Sequence, residues 1–121
     1  MNGVAVAVGA ACGAWLRWQA GLWLNASWKG FPLGTLLVNL IGGLLIGIAM
    51  EWFARQPDDW LKLLLVTGFL GGLTTFSAFS GESLALLRHG EFGMALLHTS
   101  AHVLGALGAA WLGLRLAQIW L

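Results

Sequence analysis

The side chains able to do chemistry are few, and their settings narrow what that chemistry is. Asn39 brings an amide with two N–H donors into a run, residues 30–50, that holds no Asp, Glu, Lys or Arg. On residue type alone it reads first as glue between helices and second as a donor to an anion. Phe76 and Phe79 stand three apart and would share a helical face. Aromatic ring edges carry the positive part of the quadrupole, so an edge-on pair could meet an anion, although Phe at this spacing ordinarily faces lipid or fills a core. Thr35, Thr75, Ser77 and Ser80 add hydroxyl donors, each with the competing option of bonding back to its own helix. His98 and His102, four apart with Thr99 between them, make only half a metal site; hydrogen-bonded histidines between helices are the preferred reading, with pore lining second. His89 reads as solvated. Glu82 is left with three roles: lining a vestibule, pairing with Arg17, or capping a charge-free span.

Other chemistries are excluded by what is missing. No nucleophile, base and orienting group can be assembled into a catalytic set, so the chain reads as no enzyme. No glycine lies in a phosphate-binding loop with the required Lys and Ser/Thr. Cys12 is alone, so it has no internal disulfide partner and forms no thiolate metal motif. Six Lys+Arg against five Asp+Glu give a net charge of +1, which supplies no nucleic-acid footprint.

The elements that position these groups follow from the charge map. Of 121 residues, 59% are hydrophobic and 9% charged, where a soluble domain carries about 25% charge. Residues 30–50, 63–81 and 92–114 form charge-free stretches of 21, 19 and 23 residues, each able to cross a hydrocarbon core of about 30 Å. A fourth stretch from Gly3 to Leu24 contains Arg17, placed late enough to snorkel toward the headgroups. With no positive charge at its start it is a weak match to a secretory signal peptide. Spans are thus expected at about 3–24, 33–53, 61–88 and 92–118 in a single domain covering 1–121. Trp15, Trp18, Trp23, Trp28, Trp52, Trp60, Trp111 and Trp120 fall mostly near the proposed ends, where aromatic belts sit. Lipid leaves no water for backbone groups and the alternation of a barrel is absent, so the spans are helices and the class is an all-α membrane protein. The pairs Gly9/Gly13, Gly43/Gly47, Gly68/Gly72 and Ala109/Gly113, each four apart, are expected to pack helices closely.

The third span resists a plain helical reading. Residues 61–88 would run about 42 Å as an unbroken helix at 1.5 Å per residue, longer than the bilayer core. Its middle, GFLGGLTTFSAFS from Gly68 to Ser80, combines paired glycines with adjacent β-branched hydroxyl residues, which are poor helix formers. A break near 71–76 would free carbonyls suited to a cation, next to a helix N-terminus suited to an anion. A tilted, continuous helix with back-bonded Thr and Ser competes with it on the residues alone.

Orientation is evenly balanced. Four spans place Arg55, Lys62 and Arg115 on one side and Arg17, Lys29 and Arg88 on the other, so the positive-inside rule has nothing to act on. Insertion both ways up, with antiparallel pairing, follows as an expectation; a fixed topology set by weights this count ignores is the alternative.

Three segments carry a resemblance: Gly9 to Arg17 (GAACGAWLR), Gly34 to Asn39 (GTLLVN) and Gly68 to Glu82 (GFLGGLTTFSAFSGE). They resemble the signature segments of the CrcB/Fluc fluoride channels, and the match in length and charge balance extends over nearly the whole chain. The resemblance implies four transmembrane helices per subunit with a broken third helix, in an antiparallel dual-topology homodimer. It implies passive, fluoride-selective export through two pores across the prokaryotic plasma (inner) membrane. It places Asn39, Phe76 and Phe79 on the fluoride pathway, with Thr35, Thr75, Ser77 and Ser80 as added donors, and it implies a structural Na⁺ at the dimer centre held by the carbonyls of Gly71 and Thr74. The family pattern has Thr where this chain has Ala78, and Ser and Thr where it has Ala106 and Ala110. Two other classes compete. A small dual-topology multidrug or cation exporter would need a carboxylate deep in the first helix, and Gly3 to Leu24 has none; a non-transporting assembly subunit would use the glycines without Asn39.

Overall fold

The structure is a computed structural model describing residues 1–27 and 31–121. Trp28 and Lys29, which enter the belt and charge arguments above, lie outside the described residues. The described chain is all-helical, with no β-strand among the described residues. Helix α1 spans Asn2–Leu24 and α2 spans Leu33–Arg55. Helix α3 covers residues 59–73 and changes winding on the way: α-helical over Asp59–Lys62, π-helical over Leu63–Leu70 and α-helical again over Gly71–Leu73. Helices α4 and α5 are Phe76–Arg88 and Phe92–Trp120.

Local chemistry sets the ends. Pro32, which has no N–H to leave unsatisfied, precedes α2. The Asp58 carboxylate accepts from the Leu61 N–H at 3.0 Å and caps α3. After α4 the chain reverses at Gly90, whose φ of 74° suits a residue without a Cβ. There the Gly90 N–H bonds the Leu87 carbonyl at 3.1 Å and the Glu91 N–H bonds the Leu86 carbonyl at 2.9 Å. That Schellman pattern closes the orphan carbonyls of α4 within two residues of the start of α5.

Between α3 and α4, Thr74 (φ −87°, ψ 157°) and Thr75 (φ −151°, ψ 122°) are extended. Thr74 keeps its tie to the preceding turn, its N–H and its hydroxyl both reaching the Leu70 carbonyl, at 3.0 and 2.8 Å. Thr75 starts α4 by accepting the Ala78 N–H on its hydroxyl at 3.1 Å.

Glycine does the packing. A Cβ on Gly9 would lie 2.8 Å from the Phe69 nitrogen, one on Gly13 2.6 Å from the Leu73 nitrogen, and one on Gly68 2.8 Å from the Val6 carbonyl, so α1 and α3 meet backbone to backbone. Gly43 and Gly47 do the same for α2 against α5, facing the Ala106 and Ala110 carbonyls, while Gly113 of α5 faces Leu44. Gly47→Val is therefore expected to destabilise the fold by about 1–3 kcal/mol, read as a lower unfolding midpoint in detergent, whereas Gly93→Ala, with nothing within 4 Å of the new Cβ, should leave it unchanged or slightly raised.

Leu33–Arg55, Asp59–Arg88 and Phe92–Trp120 are long and apolar enough to cross a membrane by length and composition. The 23-residue α1 has the length, and its Arg17 and Gln19 lower its hydropathy. The outer surface fits an apolar solvent: Trp15, Trp23, Leu104, Leu107, Trp111 and Trp120 are all exposed, while the buried apolar set centres on Val38, Leu70 and Leu73.

Candidate functional site

The extended pair Thr74 and Thr75 is held from across the bundle by one side chain. Asn39, on the inner face of α2, accepts the Thr75 N–H on Oδ1 at 2.9 Å and donates from Nδ2 to the Thr75 carbonyl at 3.1 Å. Its amide replaces the helical partners that an extended residue gives up, which in lipid would otherwise go unsatisfied. Nδ2 also lies 2.9 Å from Nδ1 of His102 on α5. Gly42, one turn along α2, leaves space that the Thr74 methyl occupies. Interhelical bonding by Asn39 thus joins α2, the extended pair and α5.

Among the carbonyls that leave the helical ladder here, two have ladder partners that bond side chains instead. In a continuous helix the Gly71 carbonyl would bond the Thr75 N–H and the Thr74 carbonyl the Ala78 N–H. Here the first N–H goes to Asn39 and the second to the Thr75 hydroxyl. Gly72 lies between them, and its carbonyl accepts from Arg17 Nε at 3.0 Å. Arg17 therefore does not pair with Glu82, one of the options the sequence left open: the guanidinium reaches the Gly72 carbonyl across the close α1–α3 contact, while Glu82 faces α2 and α5.

A groove of about 540 Å³ runs along this region, and its lining includes Asn39, Gly71, Thr74, Thr75, Phe76, Phe79 and His102, with Ala106 and Ala110. Of the nine residues that the resemblance assigned to the ion pathway or the cation site, six thus line one groove, and His102 joins them. Thr35, Ser77 and Ser80 are outside that lining. Ser77 sits by the helix cap, its Oγ 3.3 Å from that of Thr75, and Ser80 is half-buried on α4.

Phe76 and Phe79 meet edge to face, ring centroids 5.4 Å apart and planes at 70°. They differ in setting: Phe76 is 78% exposed and Phe79 7%. Phe79 stacks against both histidines, with centroids 5.5 Å from His98 and 4.6 Å from His102. The i, i+4 histidine spacing was the signal for that cluster, and the rings lie 4.5 Å apart.

A second polar network sits beside the groove. Thr35 donates its hydroxyl to one Glu82 carboxylate oxygen at 2.6 Å, and His98 Nε2 lies 3.1 Å from the other. His98 Nδ1 is 2.7 Å from the Ser83 hydroxyl, which in turn is 3.0 Å from that of Thr99. The Thr35 N–H is taken by the Asn25 side chain at 3.1 Å. A carboxylate held between a hydroxyl and an imidazole N–H has much of its charge answered locally. The sequence singles out Thr35, Glu82, His98 and Thr99 but misses Ser83 and Asn25, and the partnerships depend on how α2, α4 and α5 register. His89 is exposed, as its connector position suggested, with Nδ1 2.7 Å from the Ala85 carbonyl.

Comparison with known proteins identifies the kind of chain that carries this site. The family described as "CrcB-like protein, Camphor Resistance (CrcB)" matches residues 4–114. The chain is 52% identical over 119 residues to the fluoride-specific ion channel FluC of Aromatoleum aromaticum, covering 97% of this chain and 91% of that protein. It is 50% identical over 120 residues to the fluoride-specific ion channel FluC of Bordetella petrii, covering 98% and 92%. A third, the FluC of Cupriavidus pinatubonensis, is 54% identical over 114 residues, covering 92% and 90%. With agreement of this depth over nearly its whole length, the chain belongs to the CrcB-like family and is a multi-pass, all-helical membrane protein.

Proposed function

We propose that this chain is a passive, fluoride-selective channel that exports fluoride across the prokaryotic inner membrane, working as two copies inserted in opposite directions. The observation that carries the reading is the groove along α2, α4 and α5, where Asn39, Thr75, Phe76, Phe79 and His102 gather beside the extended pair. The names of the relatives support the choice of ion.

Fluoride is small and holds its water tightly, so a route through lipid must supply donors in place of that water and deny larger halides room. The groove offers polar hydrogens and ring edges on otherwise apolar walls. An edge presented by Phe76 or Phe79 is attractive to an anion where a ring face would repel it. Glu82, tied to Thr35 and His98, adds little free negative charge to oppose entry.

Thr74 and Thr75 are read as a break within one membrane span, which lipid tolerates only where the freed backbone is covered by protein or lines a cavity. The carbonyls of Gly71 and Thr74, relieved of their ladder N–H groups, are hard oxygen donors of the type that suits Na⁺. They fit the structural cation, and four such oxygens would come from two antiparallel copies. When bound, that ion supplies fixed positive charge near the anion route. The paired arrangement is supported by the even charge balance and by the apolar faces of α5, which a single chain leaves uncovered. Tags at the N-terminus should be reachable from both sides of intact cells; labelling from one side only would contradict the antiparallel pair.

The function is tested by fluoride efflux from liposomes containing the purified protein, followed with a fluoride electrode. Efflux driven by the fluoride gradient alone is expected, with no matching chloride efflux. Vesicles that retain fluoride as well as protein-free ones would refute the proposal.

A further inference from the structure

The geometry points to Asn39 as a positioning residue that locks His102 in one tautomer, so that the His102 Nε2–H, and not the Asn39 amide, is the buried donor presented to the anion. The inference rests on the fluoride reading above for the identity of the anion, and on hydrogen-bond accounting for everything else.

Thr75 presents an N–H to one end of the Asn39 amide at 2.9 Å and a carbonyl to the other at 3.1 Å. An N–H needs an acceptor and a carbonyl needs a donor, so only one orientation of the amide satisfies both. That fixes Nδ2 as the atom 2.9 Å from His102 Nδ1. Nδ2 carries only hydrogens, so Nδ1 must accept. A proton on Nδ1 would set two donors face to face, which excludes both the Nδ1–H tautomer and the imidazolium. His102 is therefore neutral with its proton on Nε2.

That proton has nowhere to go within the chain. His102 is 3% exposed, and its Nε2 is a buried side-chain nitrogen with no hydrogen-bond partner among the described residues. Buried donors are rarely left so, and one in a native structure calls for a ligand or a water. The ring cannot turn to relieve it without giving up Asn39, and stacking on Phe79 at 4.6 Å and 29° holds its plane. Both Asn39 amide hydrogens are engaged while this holds, so the amide has none to offer an ion.

The direction of the His102 lone pair decides which ligand fits. Glu82, His98 and His102 each have a ligand atom within 4.8 Å of the others, a spacing a metal could use. A metal needs a lone pair, and the one His102 possesses faces Asn39. An N–H with no acceptor calls instead for a compact anion, and His102 shares its groove with Phe76 and Phe79.

The test is nitrogen NMR on the full-length protein in lipid bilayers, with ¹⁵N-labelled histidine and His102 assigned by the signal lost in His102→Gln. An unprotonated Nδ1 and a protonated Nε2 are expected at neutral pH. Sodium fluoride should shift the Nε2 signal and produce ¹⁹F–¹⁵N dipolar contact; sodium chloride should do neither. In Asn39→Asp a carboxylate oxygen replaces the donor facing Nδ1, so a proton should appear on Nδ1 and the fluoride response of Nε2 should be lost. If that variant does not fold, the wild-type spectrum still decides. A proton on wild-type Nδ1, or no Nε2 response in a protein that passes fluoride through vesicles, would overturn this inference and leave the channel standing. A protein that passes no fluoride and shows no response would overturn both.

Discussion

Phe76→Ile is expected to lower fluoride efflux from reconstituted vesicles on the order of 100-fold, the scale on which losing one well-placed electrostatic contact acts, with the unfolding midpoint unchanged. Phe76 is 78% exposed in the single chain, so little of the protomer's own core depends on it. Ile keeps most of the apolar bulk and removes the ring, and with it the positive edge set at 70° to Phe79. Phe79→Ile is the harder case, because Phe79 is buried and stacks on His98 and His102. It should also cost about 1 kcal/mol of stability through the lost ring contacts. Efflux at the wild-type rate in both variants would remove the rings from the pathway.

Asn39→Leu should be more damaging, ending efflux and lowering stability together. Leucine cannot reach the Thr75 N–H or its carbonyl, and it leaves His102 Nδ1 without its donor. Each buried polar group deprived of its partner costs about 1–3 kcal/mol, so a loss of about 3–9 kcal/mol is expected for the three together. An unfolding titration in mixed micelles measures it. A variant as stable as wild type would show that Thr74 and Thr75 hold their extended geometry without Asn39, and the account of the site would lose its anchor.

Much of this molecule is legible in the residues, because the physics there is local. A charge-free run of about 20 residues has one economical conformation in lipid, so the all-helical class follows from the charge map. Glycines four apart on an apolar helix have little use except close approach, and Gly9, Gly13, Gly43, Gly47, Gly68 and Gly72 all lie against backbone or Cα atoms of neighbouring helices or, for Gly68, also its own. The adjacent Thr74 and Thr75, poor helix formers by type, are the residues whose backbone is extended.

The rest depends on registers between distant elements. Asn39 and Thr75 are 36 residues apart, and nothing in either residue's neighbourhood announces that one amide serves both backbone groups of the other. Arg17 was the partner that charge suggested for Glu82; the structure gives it Thr35 and His98, while Arg17 turns to the Gly72 carbonyl. Ala106 and Ala110 look, by residue type, like gaps in a polar track. In the fold they stand where Gly43 and Gly47 meet α5 backbone to backbone, although they also line the groove. The alanines at that contact leave His102 as a polar wall of the groove on α5.

Selective, passive conduction by this groove is tested most directly by the reversal potential of a planar bilayer containing the protein, with fluoride on one side and an equal concentration of chloride on the other. The account predicts a current whose reversal lies far toward the fluoride equilibrium potential and does not depend on a proton gradient. A reversal near zero, meaning that chloride passes as readily as fluoride, would contradict it.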